Sequence, residues 1–95
     1  MAALRDINDV LDDLLALLSQ CDETFWRSKL SSTKKKDVNA QKRDVMAWFG
    51  GMGSFGDLIL SKYNGHSVNE SDESELNDAL DNLRNELYEL AARKS

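Results

Sequence analysis

Ninety-five residues, 41% apolar and 31% charged, suffice for one small domain over residues 1–95, but not for a catalytic domain with a separate lid. The chain has no proline, one cysteine and a formal net charge of −5. These values argue against a loop-rich β protein, exclude an internal disulfide and disfavour nucleic acid as a partner. The start, M-A-A-L-R-D-I-N-D, lacks the basic region of a signal peptide, and the longest apolar run, Leu14 to Leu18, is too short to span a bilayer. The expectation is a cytoplasmic protein with no membrane contact.

Charge is unevenly spread. Residues 1–24 hold six acids and one base, residues 25–47 seven bases and two acids, and residues 67–95 eight acids and three bases. Two acidic ends flank a basic middle, and such ends suit a basic protein partner.

The first helix is predicted from about Ala2 to Cys21. Leu4, Ile7, Leu11, Leu14, Leu18 and Cys21 follow a 3-4-3-4-3 spacing, with Val10, Leu15 and Leu17 widening the face. Asp22 is predicted to cap a short second helix, in which Phe25 or Trp26 packs with Leu30. Trp26 reads as a core residue.

A third helix is predicted from a cap at Ser32 or Thr33 to Phe49, with Val38, Val45, Met46, Trp48 and Phe49 apolar and Gln41 interrupting the stripe. Lys34, Lys35 and Lys36 would then oppose the dipole at its start. Gly50 or Gly51 ends this helix, Gly53 makes a turn, and Ser54, with Asp57 three positions on, starts a short helix over F-G-D-L-I-L-S-K-Y. Phe55, Leu58 and Ile59 would face inward. A strand is the competing reading of L-I-L. Asn64-Gly65 centres a turn.

The last helix is predicted from near Ser71 to near Arg93. Leu76, Leu80, Leu83, Leu87 and Leu90 repeat at 4-3-4-3, with Asp72, Glu73 and Glu75 in the first turns and Arg93 and Lys94 at the end. The fold class is therefore all-α, with four to five helices and two long amphipathic terminal helices that pair.

The chemistry-bearing residues are few. His66 reads as a surface turn histidine and Cys21 as a core cysteine, and nothing near either resembles a thiol-protease signature, so no catalytic residue is assigned and no enzyme is expected. One Cys and one His cannot form a structural zinc site, and Glu70–Glu75 lacks the ligand order and central glycine of an EF-hand. That run reads as a solvated helix start, and neither a metal nor a cofactor is expected. The loop Gly50–Ser54 would aim amides at an anion, but it has no P-loop lysine and does not match G-x-G-x-x-G.

W-F-G-G-M-G-S-F-G-D-L-I-L, Trp48 to Leu60, resembles a motif of a family of small uncharacterised bacterial proteins. These pair a leucine-rich first helix and a downstream Trp with G-G-M-G-S-[FL]-x-D-[LI], here Leu4–Leu18, Trp26 and Gly50–Ile59. Gly56 stands where that pattern has a polar residue, and the C-terminal helix is not carried by the resemblance. Small acidic helical proteins of this type are often immunity proteins encoded beside a toxin. That type and the composition, rather than the motif, imply an immunity protein or antitoxin that blocks the active site of a cognate basic toxin, a nuclease for example. Asp9, Asp12, Asp13, Asp72, Glu73 and Glu75 are the candidate partner-binding residues. Gly50, Gly51, Gly53 and Ser54 are assigned a structural loop. The alternatives are a helical adaptor or homodimer joined through an uncovered leucine face, and a nucleotide- or RNA-binding module using Gly50–Ser54 and Lys34–Lys36.

Overall fold

The computed structural model describes residues 6–49 and 54–93. They form four α-helices, α1 (Ile7–Gln20), α2 (Thr24–Lys34), α3 (Val38–Trp48) and α4 (Glu73–Ala92), with three 3₁₀ turns between α3 and α4. The fold is all-α, and no strand occurs among the described residues. α1 packs against α2 and α4, and α3 packs against α4. Leu4, Gly50, Gly51, Gly53 and Lys94 lie outside the described residues.

α1 starts at a capping box. The Asp6 side chain accepts from the Asp9 amide, and the Asp9 side chain accepts in return from the Asp6 amide. Its apolar stripe is buried as its spacing predicts: Ile7, Val10, Leu11, Leu14, Leu18 and Cys21 are all in the core. Asp22 does not cap α2. It takes a left-handed φ of 55° and ends α1, with its amide bonded to the Ser19 carbonyl and the Glu23 amide to the Leu18 carbonyl. This is the paired closure that usually falls to glycine, and a short polar side chain tolerates it. Glu23 caps α2 instead, accepting from the Trp26 amide at 2.7 Å.

The basic stretch is placed differently from its sequence-based reading. Ser32 and Thr33 lie inside α2, and α3 starts at Asp37, whose side chain accepts from the Ala40 amide. Lys34, Lys35 and Lys36 therefore sit at the C-terminal end of α2, where the dipole favours cations, rather than at an N-terminus that would repel them. Gln41 does not interrupt the α3 stripe; it is part of it. Gln41, Val45 and Trp48 form the buried face, while Val38 and Met46 are exposed. Gln41 Nε2 donates to Asn8 Oδ1 and to the Thr33 and Lys34 carbonyls at the end of α2, at 3.0–3.3 Å. A polar core residue thus ties three helices together.

Thr33 and Lys36 both donate to Asp44. The Lys36 bond first, then the Thr33 bond, hold the Asp44 carboxyl below its usual range. A lowered carboxyl stabilises the fold above its unfolded value, and the gain is lost as pH falls through the folded value. Asp44→Asn is therefore expected to lose ~1 kcal/mol near neutral pH, a modest figure because Lys36 is exposed, with the difference from wild type shrinking as pH falls through the lowered folded value. Urea unfolding across that pH range reads this out.

Residues 54–66 are neither the predicted helix nor a strand. Phe55–Asp57 is a 3₁₀ turn, Leu58 to Ser61 run extended, and Lys62–Asn64 is a second 3₁₀ turn ending at Gly65, whose φ of 85° requires glycine. Side chains of α4 serve the backbone that a ladder would otherwise serve. Asn77 accepts from the Leu60 amide at 2.8 Å and donates to the Leu60 carbonyl at 2.9 Å. Arg84 donates to the Phe55 and Leu58 carbonyls at 2.7 and 2.9 Å. These side-chain partners take the place of a ladder for the Leu60 amide and for the Phe55, Leu58 and Leu60 carbonyls. Phe55 and Leu60 are buried, Leu58 is half-buried, and Ile59 is turned out.

α4 begins after a 3₁₀ turn at Glu70–Asp72. Its buried residues are Leu80, Arg84, Leu87 and Ala91, while Leu76, Leu83 and Leu90 are half-buried. Asp6, Ile7 and Asn8 share a cavity with Leu90 and Arg93, and at the other end Ser67 bonds Asp22, so α1 and α4 run antiparallel.

Candidate functional site

A recess of about 250 Å³ opens between the start of α2 and the loop 54–66. Its walls include Glu23, Trp26, Ser54, Asp57, Ile59 and His66. Beneath it lies an aromatic cluster. Phe55 sits with ring centroids 4.9 Å from Trp26, 6.1 Å from Trp48 and 5.8 Å from Phe49. Trp26 is a core residue, as its sequence context suggests, and Phe25 beside it is exposed.

His66 is not the surface histidine expected from its turn. It is buried, and both ring nitrogens are engaged. Nδ1 accepts from the Ser61 amide at 3.1 Å, so Nε2 carries the proton and donates to Glu23 Oε1 at 3.2 Å. Glu23 thus caps α2 with one oxygen and orients the imidazole with the other. The Ser67 amide bonds the Cys21 carbonyl at 2.9 Å, closing the loop onto the end of α1. The Cys21 thiol is buried, and burial followed by the neighbouring Asp22 charge pushes its pKa up, away from a reactive thiolate.

On the other side of the extended segment is a second recess of about 500 Å³, walled by Gly56, Asp57, Ile59, Asn77, Asp81 and Arg84. Arg84 is ion-paired with Asp81 besides holding its two carbonyls. Asp57, Leu58 and Ile59 form the ridge between the two recesses.

The sequence-predicted acids do not form one patch. Asp9, Asp12 and Asp13 lie in the first half of α1, and Asp72, Glu73 and Glu75 lie at the start of α4, at the opposite end of the antiparallel pair. Asp9 is held in its capping box and Asp12 is ion-paired with Lys34. Glu73 accepts from the Lys62 amide, which brings the α4 acids to the loop that carries the recesses. Ser54 precedes the first 3₁₀ turn without a side-chain cap bond. Glu23, Asn77 and Arg84 were not singled out from sequence, and His66 reads there as a surface turn residue. Asn77, Leu80, Arg84, Leu87 and Ala91 follow a 3-4-3-4 spacing, so two polar residues in register with buried ones were the available signal.

Among the described residues no three His, Cys, Asp or Glu side chains converge as metal ligands, and no helix is long and apolar enough to cross a membrane.

Together these features define a small antiparallel helical fold with a loop-built, acid-lined ridge. Residues 19–69, more than half of the chain, match the model of a domain of unknown function, DUF6966, and the chain belongs to that family. No curated protein and no solved structure matches it. The residues named around the first recess all fall within the family segment, whereas Asn77, Asp81 and Arg84 lie beyond it.

Proposed function

We propose that the protein is an immunity-type inhibitor that binds a basic protein toxin, a nuclease by chemical class, and covers its active site. The observation that carries this reading is how the polar side chains of the recesses are used. Glu23, His66, Asn77 and Arg84 all bond the protein's own backbone or one another. The recesses are thereby made rigid, and shape and negative charge are what they offer a ligand. A nuclease must hold phosphates and so carries a basic cleft, which an acidic, preorganised surface complements. Asp72, Glu73 and Glu75, at the loop end, would extend the contact, while Asp9 and Asp13 would act at longer range by steering, Asp12 being neutralised by Lys34.

The nucleic-acid alternative draws less support. Lys34 is paired with Asp12 and Lys36 with Asp44, so two of its three lysines are neutralised within the fold.

A tagged copy recovered from the native host, with mass spectrometry of what accompanies it, tests the proposal. The expected result is a stoichiometric basic protein that is toxic when expressed alone and harmless when co-expressed. Its association rate should fall roughly tenfold or more from low to high salt. Co-purifying RNA or nucleotide with no protein partner would overturn the reading.

A further inference from the structure

Resting on the immunity-type reading, we propose that the ridge crested by Ile59 is the face that docks on the toxin. The partner would seat Ile59 in an apolar dimple and place a lysine or arginine side chain in the recess on each side. Ile59 is 59% exposed although its neighbours Phe55 and Leu60 are fully buried. An aliphatic side chain presented from a backbone fixed on both flanks is an anchor with little ordering cost left on binding. The fixing is explicit. Asn77 holds the Leu60 amide and carbonyl, Arg84 the Leu58 carbonyl, and Asn64 the Ile59 carbonyl itself.

Charge selects the occupant. Glu23 borders one recess, Asp81 the other, and Asp57 both. Asp78, exposed one helical turn before Asp81, adds to the second. Arg84 is the base among the described lining residues, and its guanidinium is bound to Asp81 and two carbonyls. The face is therefore negative around an apolar centre. A second copy of the chain would set these carboxylates against their own equivalents, which repels, whereas a basic surface is attracted.

The test places the photoreactive amino acid p-benzoylphenylalanine at position 59 in one variant and in place of Ala16 in another, and irradiates both in the native host. Ala16 is exposed on α1, one turn after Asp12 and Asp13. Both positions face solvent, and circular dichroism verifies that each variant is folded. The expected result is an adduct from position 59 to a basic protein, none from position 16, and affinity for that purified protein at least about thirtyfold weaker in Ile59→Asp. A basic partner captured from position 16 but not from 59, or bound unchanged by Ile59→Asp, overturns the docking face and leaves the immunity-type reading in place. A dimer adduct from position 59 assigns the face to a second copy and overturns the proposal. Absence of a basic-protein adduct from both positions overturns the docking face, and absence of a basic protein from the tagged recovery as well sinks both readings.

Discussion

Phe55→Ala is expected to destabilise the protein by about 3–5 kcal/mol, enough to unfold much of the population of a marginally stable small domain. Phe55 is fully buried and meets Trp26 of α2 and Trp48 and Phe49 at the end of α3. Removing it leaves a cavity under the candidate site that three large rings, fixed by α2 and by the end of α3, cannot collapse to fill. Urea unfolding followed by the fluorescence of the two tryptophans measures the loss. Phe25→Ala is the control: Phe25 is 60% exposed, touching Trp26 edge-on and lying under the Lys29 ammonium, and its loss should cost less than about 1 kcal/mol. Equal costs at the two positions would mean that Phe55 does not centre the core.

Arg84→Leu should cost about 2–4 kcal/mol although it replaces a charge with an apolar side chain at a buried position. The cost arises in the loop. The Phe55 carbonyl keeps its bond from the Leu58 amide, but the Leu58 carbonyl loses its donor. The buried part of the guanidinium has no apolar equivalent that can donate there. Asp81→Asn is the comparison. Asp81 is exposed, so losing the ion pair alone should cost less than about 1 kcal/mol. Thermal unfolding of the two variants separates the roles, and a near-neutral Arg84→Leu would show that α4 does not fix the loop. Should Arg84→Leu stay folded at low temperature, the Ile59 ridge should loosen first, visible as faster amide exchange over residues 55–61.

The helical class and the α1 core were legible because their signals are local. Ile7, Leu11, Leu14 and Leu18 recur at the helical period, and burying one such face needs a partner surface but no particular partner. The boundaries around α2 and α3 were less legible. Ser32, Thr33 and Asp37 all carry a side-chain oxygen that can cap a helix, and the choice among them depends on Thr33 and Gln41 both being buried against neighbouring helices. The leucine spacing of α4 gave its existence, but its buried stripe is shifted to include Arg84 and to exclude full cover of Leu83. Leucine content alone does not fix the stripe when a polar residue has backbone carbonyls waiting for it.

By itself the sequence determined the helix class, the acidic ends, the buried α1 stripe, the core position of Trp26 and the turn at Asn64-Gly65, each through short-range periodicity, composition or backbone sterics. Tertiary structure alone decided that residues 58–61 run extended, that His66 is buried with a fixed tautomer, and that Ile59 rather than Leu60 faces solvent. These features rest on bonds spanning long stretches of chain, from Glu23 to His66, Asn77 to Leu60 and Arg84 to Phe55. A buried polar group takes whatever partner the fold brings within reach, and no local pattern in the chain encodes which one that is.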